Sequence, residues 1–177
     1  VVLPFMYYET YGDDSLIRKY YNGMRRYIDY MTTRANDGIV SFGLGDWYDY
    51  GDFRAGFSRN TPVPLVATAH YYMVVRYLVE AARMLDNRYD VAYYTLLGEE
   101  INKAFHREFY HKDTRQYGTG SQCSNALPLF LGMVPADDRQ AVLDNLVADI
   151  KRHGNRLTTG DVGNRYLFQT LARNGLN

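Results

Sequence analysis

The sequence has 177 residues, enough for one ordinary domain with a real core. Twenty basic residues balance twenty acidic ones, which argues against a nucleic-acid or anionic-membrane surface, since both need an excess of Lys and Arg. No apolar run is long enough to span a bilayer, and a single cysteine, Cys123, excludes an internal disulfide or a cysteine-based zinc site.

The predicted elements are helical. A short aromatic stretch runs from Pro4 to Tyr11 and stops at Gly12. Asp13-Asp14-Ser15 then caps a strong helix that continues to about Ala35, with Leu16, Tyr20, Met24, Tyr27, Ile28 and Met31 as its apolar face. Asn36-Asp37-Gly38 breaks it. From Gly38 to about Thr61 no helical period exists, and a loop of this length inside a domain is usually functional. Thr61-Pro62 opens the next helix, read with a face of Leu65, Ala69, Tyr72, Met73, Tyr77 and Ala81. After Asp86-Asn87 another helix runs from about Tyr89 to Phe109, with Val91, Leu96, Leu97, Ile101, Ala104 and Phe105 inward. A polar turn from Tyr110 to Thr119, with a possible short extended piece, leads to a helix from Ser121 to Leu131 that Gly132 ends. Ala136-Asp137-Asp138 opens the next, with Val142, Leu146, Val147 and Ile150 inward, and Gly154 stops it. The last helix runs from Asp161 to Leu171, before Gly175.

This order reads as an all-α fold of antiparallel helix pairs, either a solenoid or part of an (α/α)6 toroidal barrel. No fixed-period repeat is present, which favours the toroid. In a toroid the long connections gather at one end, so the loop 38–61 and the segment near Tyr117–Gln122 are expected to be neighbours.

The loop carries the chemistry. Gly43-Leu44-Gly45-Asp46-Trp47-Tyr48-Asp49-Tyr50-Gly51-Asp52 holds the one tryptophan and three carboxylates. An indole can stack on the apolar face of a sugar ring while a carboxylate accepts charge-assisted hydrogen bonds from its hydroxyls. The alternative is a turn-capping Asp46 beside a core Trp47. Asp49 and Asp52 read most simply as turn chemistry, and Asp46 with Asp49 does not read as a catalytic pair, because such carboxyls more often come from distant segments. His70 and Gln122 each follow a loop closely and are candidates to point into a cavity. Glu99 pairs with Lys103 at surface spacing, and no histidine pair has a defensible metal spacing. Thr158-Thr159-Gly160-Asp161-Val162-Gly163 lacks the lysine of a phosphate loop and reads as a turn and N-cap.

Taken together, Tyr11-Gly12-Asp13, Met24-Arg25-Arg26-Tyr27-Ile28, Gly43-Leu44-Gly45-Asp46-Trp47, Ala67-Thr68-Ala69-His70-Tyr71-Tyr72, Gln122-Cys123-Ser124-Asn125-Ala126-Leu127 and Leu157-Thr158-Thr159-Gly160-Asp161-Val162-Gly163, in this order, resemble bacterial α-L-rhamnosidases of glycoside hydrolase family 78. The resemblance covers essentially the whole chain. It implies an (α/α)6 barrel and removal of terminal α-L-rhamnose with inversion, by a general-acid and a general-base carboxyl spaced to admit a water. The family's acid lies upstream in an Arg-x-Glu-Arg stretch and its base downstream near a Trp-Glu pair. Neither stretch occurs here, so the chain reads as a middle segment of the catalytic barrel, cut at both ends and inactive alone. Trp47 then resembles the family's sugar-stacking tryptophan, with Asp46 as hydroxyl acceptor or loop support. Asp49, His70 and Gln122, from their places in or after the loops, are the further candidate substrate contacts. No cofactor is implied. The expected partner is a rhamnose-containing carbohydrate, and helix faces left uncovered are expected to favour self-association. The resemblance favours a periplasmic or extracellular location. The alternatives are another toroidal carbohydrate enzyme, trehalase-like or a sugar epimerase, and a non-catalytic helical scaffold.

Overall fold

A computed structural model describes residues 1–54 and 56–176. Ala55, within the irregular segment, and Asn177, at the very end of the helix stop, lie outside the described residues. Among the described residues seven α-helices dominate: α1 (Val2–Tyr11), α2 (Ser15–Arg34), α3 (Val63–Met84), α4 (Arg88–Phe109), α5 (Gln122–Leu131), α6 (Arg139–Arg152) and α7 (Asp161–Arg173). Between α4 and α5 lies one small antiparallel ribbon, β1 (Tyr110–His111) with β2 (Gln116–Tyr117), which pairs Tyr110 with Tyr117 and His111 with Gln116. This is the short extended piece expected there. The helix stops follow their local chemistry. Gly12 and Gly132 close α1 and α5 in the left-handed conformation. After α2, Asp37 and Gly38 both take positive φ and a bridge joins Asn36 to Ile39, a tight reversal that only such residues allow cheaply.

The chain divides into two compact units. The first comprises Val1–Val40 and His70–Ala104. Its core is built from Ile17, Met24, Ile28, Val75, Leu78 and Ile101, all buried. A polar knot joins α2 to α4. Tyr21 donates to Asp90 Oδ2 at 2.6 Å and Asn87 Nδ2 donates to the same oxygen at 2.9 Å, with Arg25 Nε 3.2 Å away. Burial and this hydrogen bond push the Tyr21 phenol far up from its ordinary value.

Several expected helix faces differ from those observed. In α2 the buried stripe is Ile17, Tyr21, Met24, Ile28 and Met31, whereas Tyr20 and Tyr27 are exposed. In α4 Tyr94, Ile101, Ala104, Phe105 and Phe109 are buried, and Leu96 is 61% exposed. Periodicity fixes the spacing of a stripe but not its phase when the adjacent position is also apolar. The displaced residues line open apolar grooves instead: Leu16, Tyr20 and Tyr27 with Leu3 and Pro4, and Leu96 with Ala82 and Val91.

The second unit comprises Ser41–Ala69 and Phe105–Asn177. Here α5 is the central element, packed on both α6 and α7. Eight of its ten residues from Gln122 to Leu129, and Leu131, are buried, including Gln122, Ser124 and Asn125. A helix with polar residues inside must satisfy each of them. Asn125 Oδ1 does so by accepting from the Tyr117 backbone N–H at 2.9 Å, and Ser121 caps the helix by accepting from Ser124 N–H. In α6 the buried positions are Val142, Leu143, Leu146 and Asp149, so an acid takes part of the inward stripe expected to run through Val147 and Ile150.

Candidate functional site

Within the second unit three connections meet at one end: the loop 41–61, the segment 117–121 and the segment 156–160. The neighbourhood expected from the sequence is carried by hydrogen bonds. Asn60 Nδ2 donates to the Tyr50 carbonyl at 2.8 Å and to the Thr158 carbonyl at 3.0 Å. Thr61 and Ser121 share a hydroxyl hydrogen bond of 2.7 Å, and Thr119 donates to the Asn60 carbonyl. The Tyr50 N–H donates to the Thr158 carbonyl at 3.2 Å.

Asp46 is the keystone of this arrangement. Its side chain is fully buried. Oδ2 accepts from the Gly160 N–H at 2.9 Å and Oδ1 from the Gly163 N–H at 2.6 Å. Gly160 is the N-cap of α7 and has no side chain to cap with. The two donors are the N-cap N–H and that of the third helical residue, the pair that a capping box satisfies with two local side chains. Here one carboxylate from a loop 114 residues upstream satisfies both, and its charge sits at the positive end of the helix dipole. Burial raises the Asp46 carboxyl above its ordinary value, against the pull of the two glycine N–H groups and the Cys123 thiol. Cys123, itself buried, has its thiol pushed well up by burial and by the facing carboxylate, which leaves it inert as a nucleophile at neutral pH.

The backbones approach closely here. A Cβ on Gly160 would lie 2.1 Å from the Trp47 carbonyl oxygen and 2.5 Å from that of Asp46. A Cβ on Gly163 would lie 2.7 Å from Asp46 Oδ2. The Asp161 N–H donates to the Trp47 carbonyl at 2.7 Å. Sequence reading placed a turn and N-cap at 158–163 but missed that its glycines exist to receive Asp46. The two glycines three apart at a helix start were the available signal.

Asp49 and Gln122 are also buried and committed to backbone. Asp49 Oδ2 accepts from the Arg59 and Asn60 N–H groups at 2.7 and 2.6 Å, which folds the loop back on itself. Its Oδ1 is buried without a hydrogen-bond partner. Gln122 donates from Nε2 to the Arg156 carbonyl at 3.0 Å and accepts at Oε1 from the Thr158 N–H at 3.0 Å, clamping the segment that leads into α7. In this structure Asp46 and Gln122 spend their polar atoms on backbone, and Asp49 spends Oδ2 on it while its unpaired Oδ1 is buried. His70 lies on α3 within the first unit, half-buried.

Trp47 is placed differently. It is half-buried, and its ring meets Tyr48 at 5.6 Å and Phe57 at 5.5 Å between centroids, both edge-on. Tyr48 is 47% exposed and Phe57 71%. Tyr48 also takes a positive φ of 63°, unusual for an aromatic residue and of the kind found where function demands a strained turn. The corner thus offers an aromatic surface to solvent on a base fixed by buried hydrogen bonds. Such a surface suits the apolar face of a sugar ring.

Comparison with known proteins gives a consistent result. The family model for the bacterial alpha-L-rhamnosidase six-hairpin glycosidase domain matches residues 1–177. An alpha-L-rhamnosidase of Formosa agariphila is 30% identical over 98% of this chain, which spans 19% of that relative's length. One from Streptomyces avermitilis is 29% identical over 99% of the chain, which spans 16% of its length. Among solved structures, the alpha-L-rhamnosidase of Dictyoglumus thermophilum superposes with a TM-score of 0.92 at 33% identity, covering 98% of this chain and 20% of that one. The Streptomyces avermitilis alpha-L-rhamnosidase complexed with L-rhamnose superposes with a TM-score of 0.88 at 27% identity, covering 98% of this chain and 16% of that one. The chain thus spans 16–20% of the length of each of these relatives.

Proposed function

The chain belongs to the bacterial α-L-rhamnosidase six-hairpin glycosidase family, and on that premise we propose that it forms part of the sugar-binding wall of an enzyme that removes terminal α-L-rhamnose. The observation that carries this reading is the Trp47 corner: an exposed aromatic surface on a loop pinned from below by Asp46. The L-rhamnose named in the complex of the Streptomyces relative supports rhamnose as the sugar.

The acid and base belong to the rest of the enzyme under this proposal. Inverting hydrolysis needs a carboxylic acid that reaches the leaving oxygen and a carboxylate that reaches a water. Asp46 and Asp49 are both 0% exposed and hold backbone N–H groups, so neither can meet a glycosidic oxygen. Their role is preorganisation, which keeps the aromatic corner in place without cost at the moment of binding. The exposed apolar residues of the first unit, Leu3, Tyr20, Tyr27 and Tyr89 among them, support self-association when this segment is isolated.

The test is hydrolysis of an aryl α-L-rhamnoside. The full-length enzyme is expected to release the aryl alcohol, with the rhamnose anomer inverted, and the isolated 177-residue chain is expected to show no turnover. Turnover by the isolated chain would place the catalytic carboxyls within it and sink the assignment. Failure of the full-length enzyme on this substrate would overturn the rhamnosidase reading.

A further inference from the structure

The loop that carries Trp47 turns back on itself and delivers a second exposed ring to the same place. Phe57 is 71% exposed, yet the backbone on either side of it is held. Before it, Gly56 takes a φ of 141°, a conformation that L side chains rarely adopt, and its carbonyl accepts from the Tyr48 N–H at 3.4 Å. After it, Ser58 Oγ accepts from the Asp46 N–H at 3.1 Å and donates to the Thr61 carbonyl at 2.7 Å. Gly45 leaves the room for this return, since a Cβ there would lie 2.6 Å from Ser58 Cβ. Phe57 thus stands between two anchored neighbours while its own ring remains largely in water.

The two rings make a corner. Their planes stand 79° apart with centroids 5.5 Å from each other. A ligand lying on the indole on that side meets Phe57 as a wall. Tyr48, at 63° and 5.6 Å, makes a second wall. The walls differ in the respect that matters to a sugar. Tyr48 ends in a hydroxyl that can exchange hydrogen bonds with a ligand, whereas the Phe57 side chain has no polar atom. A sugar hydroxyl pressed against Phe57 gives up its water and gains no partner. An apolar substituent sits there without that loss.

We propose that Phe57 is a specificity-determining residue that receives the methyl group on C5 of the rhamnose ring. The inference rests on the rhamnoside reading above. Rhamnose is a 6-deoxy hexose, so this methyl is the one apolar substituent on a ring that otherwise carries hydroxyls. With the CH face of the sugar on Trp47, the upright Phe57 ring favours the methyl over the hydroxymethyl group of the parent hexose. The same contact covers a phenylalanine that is otherwise left in solvent.

Calorimetric titration of the full-length enzyme with L-rhamnose, L-mannose and L-lyxose tests this without relying on turnover. The three sugars share the configuration of their hydroxyls at C2, C3 and C4. L-mannose has a hydroxymethyl group where rhamnose has its methyl, and L-lyxose has only hydrogen. The wild-type enzyme is expected to bind L-rhamnose more tightly than either. In Phe57→Ala the advantage of L-rhamnose over L-lyxose is expected to shrink roughly 3- to 10-fold, the scale of one methyl buried on an apolar surface. Phe57→Leu, which keeps an apolar side chain, is expected to retain most of it. Ratios unchanged in Phe57→Ala, whether the affinities fall together or stay at their wild-type values, overturn the assignment and leave the rhamnoside reading standing. So does a wild-type enzyme that binds the three sugars alike. A wild-type enzyme that does not bind L-rhamnose overturns both.

Discussion

Gly160→Ala is expected to destabilise the protein by about 3 kcal/mol or more, at or above the upper end of the usual overpacking range. The cost comes from space alone. Gly160 has φ −86°, a backbone any residue accepts. Its new methyl carbon, however, would lie 2.1 Å from the Trp47 carbonyl and 2.8 Å from the Asp49 amide nitrogen. Both are backbone atoms and cannot rotate away. The loop 46–49 must lift from the start of α7, which breaks the Asp161-to-Trp47 hydrogen bond and the Asp46 contacts together. Thermal unfolding followed by circular dichroism measures this directly. Gly23→Ala in α2 is the counterpart. Nothing lies within 4 Å of its Cβ, so alanine there should instead gain roughly 0.5–1 kcal/mol from helix propensity. The same chemical change should thus move the unfolding temperature in opposite directions at the two sites.

Asp46→Ala should cost about 2–5 kcal/mol, because it removes a cap and leaves two buried N–H donors without an acceptor. Asp46→Asn should rescue only part of this. An amide keeps one oxygen for one glycine N–H but turns an NH2 group toward the other. If Asp46 were a ligand contact exposed to substrate, Asp46→Asn would leave the unfolding transition near wild type and act on KM alone. Chemical denaturation curves of the two variants separate these outcomes.

Much of the architecture was readable because it is written in local signals. Ser121, Gly12, Gly132 and Asn36-Asp37-Gly38 mark helix ends by chemistry that acts within a few residues. The irregular loop was visible from its lack of period and its mix of glycine, acids and aromatics. What could not be read is what depends on distant partners or on phase. Leu16, Tyr20 and Tyr27 repeat as well as Ile17, Tyr21 and Ile28 do, and only packing decides which stripe goes inward. Asp149 sits in the last turn of α6, where an acid normally faces water, yet it is buried beside a cleft. The roles of Asp46 and Gln122 depend on backbone groups 114 and 34 residues away. Their identity as polar residues near loops was apparent, but their commitment to backbone was not. Trp47 was legible only as one of two things, a surface for a sugar ring or a core residue beside a turn-capping Asp46, and its half-buried position leaves one side of the ring to packing.

The two kinds of residue at this site divide the work. Buried carboxylate and amide groups hold three connections and the start of α7 in one arrangement, and the half-exposed aromatic ring beside them is the surface we propose for the sugar. Calorimetric titration of L-rhamnose into the full-length enzyme and its Trp47→Ala variant tests that division most directly. The account predicts that the variant unfolds near the wild-type temperature and binds L-rhamnose more weakly by about 1–3 kcal/mol, the worth of an aromatic contact. Unchanged affinity together with a lowered unfolding temperature would contradict it, and would make Trp47 a packing residue.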